Sequence, residues 1–258
     1  MNVMDLFNLR GKTAIVTGGG RGLGAQIAKG FAEAGANVVL CSRKVEACEE
    51  MSRELETLGI RSIGLACDVT NPEDVKHVVL ETVKQFGTID ILVNNSGASW
   101  GAPVVEMPYE AWQKVMDVNV NGTFLMSQAV GKVMIEQKFG KIINISSVAG
   151  VSGTHPDFMD TVGYNTSKGA VITLTKDLAA KWGKYNINVN AIAPGFFPTK
   201  MSSALIEHGM EYIMNATPLQ RLGSDKDLKG VALFLASKAS DYVTGDVVMV
   251  DGGMSAVI

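Results

Sequence analysis

The stretch TAIVTGGGRGLG, residues 13–24, joins a short apolar, β-branched run to a cluster of glycines and then to a helical pattern. An apolar run of this length, bounded by turn residues, reads as a strand buried on both faces. Glycines at its end permit positive φ and let a phosphate approach the main chain. The helix that follows offers unpaired amides and the positive end of its dipole. Two spacings fit such a turn. Gly20, Gly22 and Ala25 follow the looser form of the glycine motif, whereas Gly18, Gly22 and Gly24 place the turn at the strand end and are preferred; Arg21 and Leu23 lie in the same turn. A tight strand-to-helix turn with no ligand has a similar composition, so the motif needs company.

Six further runs supply it: NVVLCS (37–42), SIGLACD (62–68), IDILVNN (89–95), GKIINISS (140–147), NINVNAIAP (186–194) and DVVMVDGG (246–253). Between them, segments such as GAQIAKGFAEAG (24–35) and PEDVKHVVLETVKQFG (72–87) carry apolar residues at three-to-four spacing and finish at glycine, as helices do. Strands alternating with helices predict an α/β Rossmann fold, a doubly wound parallel sheet of seven strands flanked by helices. No Pro- or Ser-rich linker and no repeat divides the chain, so residues 1–258 are read as a single domain.

Composition narrows the functional classes. Hydrophobic residues make up 47% and charged residues 19%, and the formal net charge is -3 with Lys and Arg scattered, which gives no footprint for nucleic acid. The opening MNVMDLFNLRGK lacks the pattern of a secretory signal, and no apolar run approaches the ~18 residues of a membrane span, so a cytoplasmic protein with no membrane partner is expected. Cys41, Cys48 and Cys67 have no metal-ligand spacing; no metal site and no disulfide framework are expected.

The second strand bears on a nucleotide. An acidic residue about 20 positions after a glycine motif holds a ribose 2'-hydroxyl, and an arginine there accommodates a 2'-phosphate. Here the strand ends in Ser42, Arg43 and Lys44, with no carboxylate until Glu46. Arg43 pairing with a phosphate, Ser42 donating to it and Arg21 closing over it would favour NADP(H) over NAD(H); the alternative is that Arg43 and Lys44 merely solvate a loop. Further on, YNTSK places Lys168 four residues after Tyr164, one helical turn away on the same face. A nearby cation favours a phenolate, so the pair can exchange a proton nearer neutral pH than a lone tyrosine. An amphipathic surface pair is the plain alternative, although among the five tyrosines only Tyr164 has a lysine at this spacing.

With TGGGRGLG, CDVT (67–70), NNSG (94–97), NVNG (119–122), NISS (144–147), YNTSK, IAPG (192–195) and VDGG (250–253) in this order, the chain resembles the short-chain dehydrogenase/reductase family over nearly its whole length. The resemblance implies hydride transfer between a secondary alcohol and a ketone on a nicotinamide cofactor. It makes Tyr164 the acid/base, Lys168 the group that lowers the Tyr164 pKa and binds the nicotinamide ribose, Ser147 the donor to the substrate oxygen, and Asn119 the holder of a water in a proton relay. For the cofactor it implies Gly18, Arg21, Gly22, Leu23 and Gly24 at the pyrophosphate, Asp68 and Val69 at the adenine, and Asn95, Gly97, Pro194, Gly195, Phe197 and Thr199 further along. Asn94 would brace the sheet. Thr199 can equally cap a helix.

Ser96 replaces the family's usual alanine, and the 17 positions from Ser147 to Tyr164 exceed its common spacing. The extra residues place His155, Asp157 and Phe158 either at the border of a substrate pocket or in a surface excursion. Residues 196–215, with Lys200 and His208, would form the variable lid. The wording is most similar to the gluconate 5-dehydrogenase branch, which implies a sugar acid; a 3-oxoacyl-ACP or -CoA thioester reductase is the alternative, and a non-catalytic NADP(H)-binding sensor or scaffold a more distant one. The family also implies a homotetramer built on helices spanning about 107–137 and 164–182, with the C-terminal MSAVI available for a subunit contact.

Overall fold

All seven apolar runs form strands in the computed structural model, which describes residues 2–155 and 158–257: β1 (Thr13–Thr17), β2 (Asn37–Ser42), β3 (Ser62–Ala66), β4 (Ile91–Asn94), β5 (Gly140–Ile145), β6 (Ile187–Pro194) and β7 (Val247–Val250). They pair in parallel in the order β3-β2-β1-β4-β5-β6-β7. Ile15, for instance, is in register with both Val39 and Leu92. The runs are mostly apolar because the sheet is covered on both sides, and their polar residues such as Asn144 and Asn190 are buried with hydrogen-bond partners. Ala14, Val16, Val38, Leu40, Ile91 and Val93 point to one core, while Ile15, Val39, Cys41, Leu92 and Ile142 point to the other.

Helices α1 (Gly22–Glu33), α2 (Val45–Glu56) and α8 (Lys229–Ala236) cover the first face through Phe31, Leu55 and Leu235. Helices α3 (Pro72–Phe86), α5 (Gly122–Gln137) and α6 (Val162–Trp182) cover the second through Val78, Val130 and Leu178. Helix α3 shows how local sequence sets the ends. Asn71 accepts from the Glu73 N–H, Pro72 opens the helix, Glu73 and Asp74 complement its dipole, and Gly87 closes it at φ 80°. Residues 107–137, expected as one helix, are divided: α4 (Tyr109–Met116) runs through a π-helical turn, Asp117–Asn121, into α5.

The two ends of the sheet differ. Where β1, β4 and β5 begin, Asp90 accepts from Lys12 Nζ at 2.8 Å and from the Thr13 N–H at 3.0 Å, and buried Lys141 donates to Asp241 at 2.8 Å and Asn188 at 3.0 Å. Where the strands end, β1 and β4 lie side by side although β2 and β3 separate them in sequence. This reversal of strand order opens a crevice at which ligands bind in such sheets. Among the described residues no helix is long and apolar enough to cross a membrane, and no group of side chains has the makings of a metal site.

Candidate active site

The glycine turn after β1 has Gly18 at φ 63° and Gly22 at φ 56°, conformations that favour glycine. A Cβ on Gly24 would stand 2.5 Å from the Gly18 carbonyl oxygen, so α1 can start against the turn only with glycine there. The preferred set Gly18, Gly22 and Gly24 is therefore the one that shapes the turn; Gly20 instead lies against the Ala47 main chain. Arg21 caps α1 with its backbone alone, and Leu23 packs its side chain on the core, leaving its N–H at the helix start.

Asn95 holds this turn from the neighbouring strand. Its N–H donates to Thr17 Oγ1 at 2.9 Å, and its Nδ2 donates to the carbonyls of Thr17 at 2.9 Å and Gly18 at 3.2 Å. Thr17 Oγ1 also accepts from the Ser96 N–H, a role that sequence reasoning missed; its one sign was a hydroxyl closing an apolar run. Asn94 Nδ2 donates to Ser127 Oγ at 2.9 Å and Asn144 Oδ1 at 2.8 Å, tying β4 to α5 and β5.

Beyond β2, Ser42 Oγ donates to the Lys44 carbonyl at 2.8 Å. Arg21, Arg43 and Lys44 are exposed, and none makes an ion pair among the described residues. A cleft of about 310 Å³ lies beside Arg43, lined also by Asp68, Thr70 and Val118 and, from α4, by Gln113 and Lys114. The Thr70 N–H and hydroxyl hold the Asp68 carboxyl below its usual pKa, with Arg43 adding to the effect. Val69 packs so closely on Gly122 that a Cβ there would lie 2.6 Å from it. Gln113 and Lys114 were not foreseen, since periodicity marks them only as the outer face of a helix.

At the end of β5 two serines take different parts. Ser146 Oγ donates to the Lys168 carbonyl at 2.9 Å, and Lys168 Nζ donates to the Ile145 carbonyl at 2.7 Å, so one strand end grips both the backbone and the ammonium of this lysine. A Cβ on Gly150 would stand 2.6 Å from the Lys168 carbonyl carbon, which lets the turn after Ser147 press against α6. Ser147 is nearly buried, and its Oγ accepts from the Ala149 N–H at 3.2 Å. Lys168 Nζ lies 5.6 Å from the centre of the Tyr164 ring, the one-turn proximity that their spacing implies.

Burial lowers the Lys168 pKa to about 8. The expected depression of the Tyr164 pKa is not what the fold alone produces. Burial pushes the phenol above its ordinary value, and the opposing influence comes from the Ser147 hydroxyl rather than from Lys168.

Asn119 sits in the π turn, a device that often marks functional sites. Its Oδ1 accepts from the Ala98 N–H at 2.7 Å, and its Nδ2 donates to the Ala98 carbonyl at 2.9 Å and to Ser167 Oγ at 2.8 Å. Ser167 in turn donates to the Tyr164 carbonyl at 2.7 Å, a bridge not anticipated even though Ser167 lies within YNTSK. Gly97 forms the floor between these groups: its missing Cβ would be 3.6 Å from Asn119 Oδ1 and 3.9 Å from Lys168 Nζ.

The last wall follows β6. Pro194 ends the strand, and Gly195 approaches Asp251 so closely that a Cβ would be 2.8 Å from its Cα. The Phe197 side chain turns into the core, 4% exposed and against Gly223, so only its main chain is left for the crevice. Ser202, rather than Thr199, is the cap residue of α7 (Ser203–Ala216); Thr199 joins it through paired hydroxyls 2.9 Å apart. The Thr199 methyl stands 3.6 Å from the place a Gly22 Cβ would take, so the base of the lid sits over the glycine turn. Lys200 and His208 are exposed, and His208 Nδ1 stays within its own helix, 2.7 Å from the Ala204 carbonyl. In the long loop, Phe158 meets the lid and His155 turns the chain through its carbonyl, while Asp157 lies outside the described residues.

This arrangement suits a dinucleotide: side chains are missing where a pyrophosphate would approach, and unpaired cations stand beyond β2. A parallel sheet in this order with such a crevice defines a Rossmann fold of the dinucleotide-binding kind. A family profile described as "Enoyl-(Acyl carrier protein) reductase" matches residues 18–255. The gluconate 5-dehydrogenase of Gluconobacter oxydans is 39% identical over 260 residues, covering 99% of each chain. Two solved structures match closely. A gluconate 5-dehydrogenase from Burkholderia cenocepacia in complex with NADP and tartrate superposes with a TM-score of 0.94 at 37% identity, covering 100% of both chains. A short-chain type dehydrogenase/reductase from Mycobacterium marinum superposes with a TM-score of 0.95 at 35% identity, covering 99% of this chain and 100% of that one. The chain belongs to the short-chain dehydrogenase/reductase family.

Proposed function

We propose that the protein interconverts a secondary alcohol and a ketone with NADP(H), and that its substrate is a sugar acid of the gluconate/5-ketogluconate kind. The observation that carries the reaction is the buried Lys168 ammonium, fixed on the Ile145 carbonyl and one turn from the Tyr164 phenol beside Ser147. When bound, the nicotinamide supplies or accepts the hydride. Tyr164, neutral by virtue of its raised pKa, gives its proton to the carbonyl oxygen during reduction and takes it back during oxidation. Ser147 donates to the oxygen on which charge develops. Lys168 orients the ribose and supports the phenolate left behind. The Asn119 carbonyl, which accepts from Thr123 and keeps a second lone pair, holds the water that refills the proton.

For the cofactor, Gly18, Arg21, Gly22, Leu23 and Gly24 take the pyrophosphate, Asp68 and Val69 the adenine, and Asn95 supports them through the turn it braces. Gly97, Pro194, Gly195, the Phe197 main chain and Thr199 border the nicotinamide. Ser42, Arg43 and Arg21 receive the 2'-phosphate, which selects NADP(H) over NAD(H). The sugar-acid reading is supported by the gluconate 5-dehydrogenases among the relatives. A thioester reductase is the second reading, favoured by the loop after β4, which from Ser96 to Val105 carries no charge and exposes Trp100, Val104 and Val105. The family's tetramer would pair α4, α5 and α6 across subunits.

The test is nicotinamide absorbance with D-gluconate and NADP+ and, in parallel, 5-ketogluconate and NADPH, using Tyr164→Phe as the blank. Turnover that depends on Tyr164 supports the reading. Its absence with both substrates, alongside reduction of a 3-oxoacyl thioester, replaces the sugar acid with the second.

A further inference from the structure

Helix α7 is lightly held. Of its 14 residues only Ile206 and Ile213 are buried, and its outer face exposes Met210 and Tyr212. A third attachment comes from outside the lid, from the long loop between Ser147 and Tyr164. Phe158 stacks on Tyr212 with ring centres 4.2 Å apart and meets Phe196 edge-on at 5.5 Å. Gly209 gives the ring its seat, since a Cβ there would lie 2.3 Å from Phe158 Cε2.

The loop that carries Phe158 is itself fastened to the catalytic helix. Thr154 Oγ1 donates to the Met159 carbonyl at 2.8 Å and accepts from Asn165 Nδ2 at 3.1 Å, and Asn165 Oδ1 accepts from Thr161 at 2.9 Å. Asn165 follows Tyr164 directly. The Ala102 N–H donates to the Asp160 carbonyl at 2.9 Å, which joins the same loop to the segment after β4. The lid, the loop and the start of α6 thus form one connected unit with Phe158 at its junction.

We infer that Phe158, seated on Gly209 and stacked on Tyr212, is a positioning residue that holds α7 at a fixed distance from Tyr164 and thereby sets the affinity for the carbonyl substrate. An aromatic pair is a modest contact, but on a helix with two buried side chains the Tyr212 stack and the seat on Gly209 are a large share of what closes it, while the Phe196 pair anchors the same ring to the base of the lid. The nearest cofactor contacts, the Phe197 main chain and Thr199, precede α7 and are held by the core and by Ser202, so nucleotide affinity depends little on the latch. The extra length between Ser147 and Tyr164 then has a use, as the reach needed to bring an aromatic ring to the lid.

The experiment uses the full chain with NADP+ and follows amide hydrogen exchange over 203–216 and over α6 in wild type, Phe158→Ala, Gly209→Ala and the double variant Phe158→Leu/Gly209→Ala. Alanine favours helix over glycine, so a purely local effect of Gly209→Ala would slow exchange in α7. The latch predicts the opposite: roughly tenfold faster exchange in each single variant, unchanged α6, and partial recovery in the double variant, whose smaller side chain makes room for the new methyl. It also predicts a rise of about tenfold in KM for 5-ketogluconate, with kcat and the NADP+ Kd nearly unchanged. Unchanged exchange in α7 in both single variants, or equal acceleration of α6, overturns the inference. The KM arm rests on the proposed substrate. Should the wild type fail to reduce 5-ketogluconate, that reading falls while the exchange arm still decides the latch, and Gly209→Ala decides it if Phe158→Ala does not fold.

Discussion

The two ends of the sheet are built from the same strands and have opposite electrostatic characters. At the end where the strands begin, buried charges are matched: Asp90 has Lys12 and the Thr13 N–H, and Lys141 has Asp241 and Asn188. At the end where they finish, Lys168 is buried against a carbonyl dipole, neither it nor Arg21, Arg43 or Lys44 has an ion-pair partner among the described residues, and a helix is distorted around Asn119. Pairing offsets the cost of burying a charge, so at the first end it is the loss of one partner that would destabilise the fold. Leaving groups short of partners makes the second end receptive, a cost that the proposed binding and proton transfer would account for.

The sharpest way to break this contrast is at the receptive end. Tyr164→Phe removes only a hydroxyl, so folding and nucleotide binding should persist while turnover falls by about 10³-fold; substantial residual turnover would show that the proton moves elsewhere. Next in size, Arg43→Asp should raise the KM for NADPH about 100-fold and leave that for NADH little changed, as measured by initial rates with each cofactor. Equal KM values in variant and wild type would return Arg43 to the role of a solvated loop residue.

The pH dependence should be milder. Burial sets the Lys168 pKa at about 8, below its ordinary value of 10.5, so the ammonium is present below pH 8 and lost above it. Reductive kcat should be level up to that pH and fall about tenfold per unit beyond it if the charge supports Tyr164. Unfolding through this group cannot mimic the fall. Between pH 8 and 10.5 the unfolded chain binds the extra proton, so the contribution of Lys168 to stability rises with pH. A flat profile to pH 10 would separate the lysine from the chemistry. The smallest effect on turnover belongs to the paired end: Asp90→Ala should lower stability by about 2 kcal/mol in denaturant titration, because it strands the buried Thr13 N–H, yet keep kcat within about twofold.

The same contrast separates what the sequence disclosed from what it hid. Seven apolar runs were legible because a sheet covered on both faces favours apolar residues on both sides of each strand, and the Tyr164–Lys168 pair was legible because helical spacing is local. Thr17 and Ser167 were not, since their hydrogen bonds join segments 78 and 48 residues apart. The inward turn of Phe197 was hidden for a related reason: it follows a strand end in an irregular segment, where no period fixes side-chain direction. The break between α4 and α5 was invisible because a single wide turn leaves the apolar pattern on either side intact.

That wide turn has a consequence for how the chain tolerates changes of length. A π turn holds one residue more than an α turn, so α4 and α5 together behave as a regular helix with a single-residue insertion at Asp117–Asn121. Deleting one residue there would mend the rod and improve its backbone hydrogen bonding. It would leave the faces of α4 and α5 nearly in phase, since the wide turn already absorbs the extra residue, but it would remove the bulge that presents Asn119 to Ala98 and Ser167. If Asn119 has its proposed role, the shorter chain would be the better helix and the poorer catalyst, so the π turn is an irregularity of one residue that selection for activity would keep and selection for helix stability alone would erase.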